Sequence, residues 1–248
     1  MCDSHTHMDE TAEPTRRLLL RTAGASAIAA GAGLLPANVA KAAQNAAPPK
    51  PQNAISPDAA VQRLMDGNVR YVSGASTCHD FTHEREALSG GQNPYAAILG
   101  CADSRIAPEY AFDSARGDLF VARVAGNFVN DDVLGSLEYA VAVLKAPAIL
   151  VLGHEKCGAV SAAVKAATAG ATYPGMIQSL VTAMQPSIEK AKAGKGDLLE
   201  AATAQNVRDS MAALHARSAI IQDAVKAGKL KIVGGVYRLA TGKVELLG

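Results

Sequence analysis

The chain has 248 residues, with 24 Lys and Arg against 23 Asp and Glu for a net charge of +1 at pH 7, enough chain for one sizeable core or two small ones. That charge offers no electrostatic grip on nucleic acid or anionic lipid. Trp is absent and only 4% of residues are aromatic, which excludes a stacking platform for single-stranded nucleic acid, and four cysteines without a close pair do not make a disulfide framework in a chain this long.

Residues 1–42 read as an address rather than as fold. Thr15-Arg16-Arg17-Leu18-Leu19-Leu20-Arg21 is a twin-arginine segment, followed by an uncharged, Ala- and Gly-rich run from Thr22 to Leu35. Pro36 ends that run, and Ala40-Lys41-Ala42 places small residues where a signal peptidase reads. The pattern resembles a bacterial twin-arginine export signal. It implies a mature chain that begins near Ala43 and works in the periplasm or outside the cell. The apolar run, about 14 residues, is too short for a firm membrane span, so none is expected in the mature chain. Residues 43–55 contain Pro48, Pro49 and Pro51 and read as a linker, leaving 56–248 as one domain.

Ser56-Pro57-Asp58 predicts a helix start, with Ser56 as N-cap, Pro57 at the first helical position and Asp58 at the positive end. Val61, Leu64, Met65 and Val69 are spaced as an apolar stripe for the sheet or for a second subunit. Cys78-His79, with His83 nearby, reads as a polar loop with a solvated histidine. A first strand is expected over Tyr95–Leu99, a short helix near Pro108–Phe112, and a second strand over Leu119–Val124. A helix capped by Asp131 or Asp132 follows over Val133–Leu144, then a third strand over Ala148–Leu152 and a helix from Gly158 to Ala169, stopped by Gly170. A longer helical region runs from Gly175 to Ala227 with breaks near Gly194 and Gly196. A fourth strand spans Lys231–Tyr237 and an edge strand Val244–Leu246. Strands alternate with helices and are continuous apolar runs, so the predicted class is α/β: a mostly parallel sheet of four to five strands with helices on both faces.

Two of these strands end alike. Ala96-Ala97-Ile98-Leu99-Gly100 runs into Cys101-Ala102-Asp103-Ser104-Arg105, and Ala148-Ile149-Leu150-Val151-Leu152-Gly153 runs into His154-Glu155-Lys156-Cys157-Gly158. Ligands of an open parallel sheet bind beyond the carboxyl ends of its strands, where the chain order reverses. If these two strands are neighbours, Cys101, His154 and Cys157 converge, with Asp103 beside them. Two thiolates and an imidazole with a fourth place free form a catalytic zinc pattern, and soft sulfur favours zinc over magnesium or calcium. Zinc there would bring the pKa of water to about 7 and supply hydroxide near neutral pH. Two thiolates neutralise the ion formally, so a helper is needed. Arg105 can hold Asp103 in a charge-assisted pair, leaving Asp103 to orient water; without that pair Asp103 is free to become a fourth ligand. Gly158 is expected to let backbone pass close to the metal loop, Ser104 to donate to a sulfur or a helix start, Glu155 and Lys156 to face solvent, and His215 to be a surface or core histidine.

These two motifs resemble the signature of the β-class carbonic anhydrases. Arg123-Val124-Ala125-Gly126-Asn127, Gly135-Ser136-Leu137-Glu138-Tyr139-Ala140-Val141 and the closing 237–247 resemble that family too, and the likeness spans Ser56 to Leu247. Val124 stands where family members often carry Asn. The resemblance implies reversible hydration of carbon dioxide to bicarbonate and a proton, one Zn2+ per subunit, Cys101, His154 and Cys157 as ligands with Asp103 alternating between metal and Arg105, and a homodimer or larger homo-oligomer. Two readings stay open beside it: a hydrolase of carbonyl sulfide or carbon disulfide on the same fold, and a non-catalytic zinc- or bicarbonate-binding protein.

Overall fold

Ser56 starts the first helix, α1 (Pro57–Ser73), by accepting the Ala59 N–H, and Gly74 closes it in the left-handed region at φ 72°. This computed structural model describes residues 53–79 and 81–248, so the expected export signal and most of the expected linker lie outside the described residues. α1 packs on its own sheet through Ala60, Val61 and Leu64, and Gly67 and Asn68 are buried beside them. Val69, expected in that stripe, is 66% exposed. Gly67 and Asn68 account for the difference, because they turn the buried arc away from Val69. A Cβ on Gly67 would run into the Phe112 carbonyl oxygen. Asn68 is buried with its amide satisfied: Nδ2 donates to Ala111 O and Gly242 O, and Oδ1 accepts the Val244 N–H.

A second helix, α2 (Phe81–Leu88), occupies what the sequence marks as loop; its run is too polar to show an apolar stripe. β1 (Ala96–Gly100), α3 (Pro108–Ala111), β2 (Leu119–Arg123) and α4 (Asp131–Ala142) follow. Asn130, not Asp131 or Asp132, caps α4, its side chain taking the Val133 N–H at 2.9 Å. The two aspartates sit in the first turn, where negative charge also suits the helix. β3 (Ala148–His154) runs two residues longer than expected and ends on His154 itself. After α5 (Gly158–Ala169), the longer helical region breaks around Gly194 and Gly196 as expected, between α6 (Ile177–Ala191) and α7 (Leu198–Arg217), and breaks once more, where no break was expected, before α8 (Ala219–Lys226). Asp197 caps α7, and Ser218 separates α7 from α8 by capping the latter. β4 (Lys231–Tyr237) and β5 (Val244–Leu247) complete the described chain.

The sheet has the order β2-β1-β3-β4-β5, with β5 alone antiparallel. β1, β3 and the end of β4 are buried on both faces. Ile98, Leu150 and Leu152 meet α1, Tyr95 and Phe112 on one face, and Ala97, Leu99, Ile149 and Val151 meet α4, α7 and α8 on the other. The chain leaves β1 toward β2 and returns to β3 on the opposite side of β1. The order therefore reverses between β1 and β3, and Gly100 stands in register with Leu152 there.

Candidate metal centre

Cys101 is the first residue beyond β1, and His154 is the last of β3. One tight turn, with Lys156 in the left-handed region at φ 52°, brings Cys157 round to cap α5. All three side chains are buried, their candidate ligand atoms lie within 4.8 Å of one another, and the two sulfurs are 3.9 Å apart. A tetrahedral zinc with thiolates at the usual distance sets two sulfurs about 3.8 Å apart. His154 Nδ1 lies 2.9 Å from the Glu155 carbonyl oxygen. A carbonyl only accepts, so the proton is on Nδ1 and the lone pair on Nε2. That Nε2 is buried without a hydrogen-bond partner. An orphaned imidazole nitrogen facing two thiols is costly as it stands and would be satisfied by a soft divalent cation.

The electrostatics agree. The hydrogen bond from Cys157 pulls the Cys101 thiol down to about 4 against burial, with help from His154 and from the N–H groups of Gly126 and Asp103. Cys157, holding the shared proton and buried, is raised, although the Ala159 and Val160 N–H groups at the start of α5 favour its thiolate. Burial pulls His154 down, but the neighbouring Cys101 outweighs it and the ring ends raised. Three groups that compete for one proton can instead share one cation.

Asp103 lies outside this group of three. Arg105 donates from Nε to Oδ1 at 2.9 Å and from Nη2 to Oδ2 at 2.7 Å, and its backbone N–H reaches Oδ1 at 2.9 Å. This fork holds the Asp103 carboxyl well below the usual carboxylate range, against burial. Asp103 Oδ2 stands 3.8 Å from His154 Nε2, at the edge of the ligand group. Arg105 also donates to Lys156 O at 3.3 Å and so joins the two loops.

A profile for the family described as carbonic anhydrase matches residues 96–244, a span that contains both loops. The chain belongs to the carbonic anhydrase family. The carbonic anhydrase of Mycolicibacterium smegmatis is 44% identical over 195 residues, covering 77% of this chain and 93% of its own. A solved β-carbonic anhydrase, CcaA, superposes with a TM-score of 0.60 at 28% identity, over 76% of this chain and 95% of its own. The tetrameric β-carbonic anhydrases of Sordaria macrospora share the fold, with a TM-score of 0.61 at 24% identity over 77% of this chain and 98% of theirs.

Several neighbours of this carbonic anhydrase site carry no sequence signal or carry a misleading one. Gly158 has ordinary backbone angles, and a Cβ there would meet nothing within 4 Å, so it makes no close approach. The glycines under constraint are Gly153, where a Cβ would fall 2.6 Å from Val207 Cγ2, and Gly126, with φ 85° and Met184 Sδ at 2.5 Å. Glu155 is half-buried rather than solvated: its carbonyl oxygen orients His154 and its Oε2 accepts the Leu239 N–H at 3.1 Å. Lys156, Ser104 and His215 are exposed, while His79 is half-buried, 3.6 Å from Glu84. Gly126 N donates to Cys101 Sγ at 3.3 Å, and Val124 N to Gly100 O at 3.1 Å. From α7, Asn206 holds Gly126 O and Ser210 holds Asn127 O. The Arg123 guanidinium donates to the carbonyls of Cys101, Asp103 and Ile106. At sequence level these residues fall in a stretch that resembles the family, but nothing there says what each one touches.

Proposed function

We propose that this enzyme catalyses the reversible hydration of carbon dioxide to bicarbonate and a proton, with one zinc ion per subunit held by Cys101, His154 and Cys157. The reading is carried by one observation: a buried Cys-His-Cys set with an unpartnered Nε2, beside a carboxylate that an arginine pins in its ionised form. Zinc bound there supplies Lewis acidity, the means of making water a nucleophile near neutral pH. The chain's own residues do the rest. Glu155 O keeps the His154 proton on Nδ1 and so keeps Nε2 available. Arg105 occupies both carboxylate oxygens of Asp103, which holds Asp103 at the edge of the ligand group. Being ionised, Asp103 accepts a hydrogen bond and orients water toward a small linear substrate such as carbon dioxide. The pairing of Asp103 with Arg105 speaks against a purely binding role, in which that carboxylate would sit permanently on the metal.

Stopped-flow hydration of carbon dioxide across pH, with zinc assayed on the same sample, tests the reading. Turnover at one zinc per subunit is expected; full zinc with no turnover at any pH would overturn it. Export by the twin-arginine route belongs to the same proposal and rests on Arg16 and Arg17 ahead of an uncharged run; Lys at both positions should hold the chain in the cytoplasm on cell fractionation. A homo-oligomer is supported by large apolar side chains left exposed on two helices in contact, Val69 and Val72 on α1 and Tyr110 on α3, which a second copy would cover. A monomer in sedimentation at micromolar concentration would contradict it.

A further inference from the structure

Arg123 is the last residue of β2, about twenty positions from the loop it touches. Its Nε donates to the Cys101 carbonyl at 2.7 Å, and its Nη2 to the Asp103 carbonyl at 2.7 Å and the Ile106 carbonyl at 2.9 Å. Among the described residues no carboxylate pairs with it; every hydrogen bond its side chain makes goes to this one loop. Carbonyl dipoles repel when they converge, and three of them here converge on one cation. A loop of mainly small and polar residues has no apolar anchor of its own between Cys101 and Ile106, since Ala102, Ser104 and Arg105 are exposed. Other ties from outside the loop are the Gly126 N–H on Cys101 Sγ and the Val124 N–H on Gly100 O, both from the chain just after Arg123, together with the Cys101–Cys157 sulfur contact and the Arg105 donation to Lys156 O.

We propose that Arg123 is a positioning residue: by gathering the Cys101, Asp103 and Ile106 carbonyls, it sets where the Asp103–Arg105 pair stands relative to the sulfur of Cys101. The inference rests on the carbonic anhydrase reading for its activity arm and on geometry alone for its metal arm. The loop between the first and third carbonyl contains one ligand, the carboxylate and the arginine that pins it. A planar guanidinium with fixed donors can serve all three oxygens at once, whereas the single ammonium of lysine cannot serve them with the same fork. Releasing the loop would free the Cys101, Asp103 and Ile106 carbonyls together and would leave the Asp103 carboxylate with Arg105, itself exposed, to place it.

The test compares Arg123→Ala, Arg123→Lys and Arg217→Ala with the wild type as zinc-loaded full chains. Arg217 also straps a carbonyl, that of Val129, but does not touch the loop. Zinc loss to a chelator is timed, and kcat and KM for carbon dioxide are measured across pH. Outer partners of a metal site are worth about 10–100-fold. Arg123→Ala is therefore expected to bind one zinc, to release it at least about tenfold faster, and to lose kcat by a similar factor with KM changed less than about threefold. Arg123→Lys should resemble it, and Arg217→Ala should match the wild type. Zinc release and kcat within twofold of the wild type in Arg123→Ala would overturn the proposal, as would equal effects from Arg217→Ala. If Arg123→Ala does not fold, Arg123→Lys decides on the same readouts. An inactive wild type would sink the carbonic anhydrase reading while the release rates still judge Arg123.

Discussion

The two loops that make this site are built on opposite principles. The loop after β3 is held by its surroundings: His154 is fully buried, Cys157 is 1% exposed, and Gly153 leaves no room for a Cβ against Val207. The loop after β1 is held by polar ties. Cys101 is buried, but Ala102, Ser104 and Arg105 face solvent, and the loop keeps its shape through Arg105, Arg123 and the Gly126 N–H. The first arrangement suits ligands, which must not move. The second suits the role proposed for Asp103, a carboxylate that would stand near a metal without falling onto it. Packing fixes position to a few tenths of an ångström, whereas a hydrogen-bonded loop can be re-aimed by changing one donor.

The comparison breaks most visibly at one residue from each loop. Cys157→Ser should keep the helix start, since serine is a good N-cap, yet lose a thiolate ligand. Zinc should disappear and turnover with it, a loss well beyond the about 10–100-fold typical of outer partners. Arg105→Ala should keep the zinc and lose kcat by about 100-fold, the order of loss that misplacing a reacting group produces. Metal content by atomic absorption beside stopped-flow rates separates the two. If Arg105→Ala turned over like the wild type, the Asp103–Arg105 pair would be a structural salt bridge only.

A smaller effect sharpens the packing side. Gly153→Ala adds one methyl 2.6 Å from Val207 Cγ2 at the end of β3. Overpacking of this kind costs about 1–3 kcal/mol. Val207 is itself buried, so Val207→Ala destabilises alone, but the double variant should be more stable than the sum of the two singles by at least about 0.5 kcal/mol. Urea unfolding of the four proteins measures this coupling; strict additivity would mean that the backbone yields there and that β3 is not held by packing.

What was legible in the sequence follows the same division. Apolar runs ending in glycine marked β1 and β3, and ligand residue types directly after them marked the site, because burial on both faces and a strand-end site leave local signatures. Ser56-Pro57 and Gly170 marked helix ends for the same local reason. Legibility failed where a residue's role depends on something distant. Asn68 looks like an interruption of an apolar stripe but is a buried amide satisfied by Ala111, Gly242 and Val244. Ser218 divides two helices without glycine or proline. Gly158 invited a backbone argument that belongs to Gly153 and Gly126. Arg123 reads as an ordinary cation at a strand end until the carbonyls of another loop are placed against it.

The polar character of the β1 side continues through the crossover to β2, and Asp113 shows how far. It lies in the left-handed region at φ 44°, a conformation that Asn also tolerates. Its carboxylate accepts Arg70 Nε at 2.6 Å and both the N–H and the hydroxyl of Thr77 at 2.8 Å, with its side chain 3% exposed. Burial pushes its pKa up, but the Arg70 and Thr77 hydrogen bonds outweigh burial and hold it below the usual carboxylate value. A carboxyl depressed in the fold adds stability above its unfolded pKa of about 3.9, and that stability is lost as pH falls through the folded value. Asp113→Asn keeps the backbone but not the charge. It should cost about 1.5–3 kcal/mol at pH 7, the range for hydrogen bonds to a charged group. The gap to the wild type should then narrow between pH 4 and lower values, because only the wild type has an ionised group to lose there. Urea midpoints at pH 7, 4 and 3 read the effect. A gap that stays constant across that window would mean that the Asp113 side chain is held by shape rather than charge, and the polar account of this side of the molecule would then stop at Arg123.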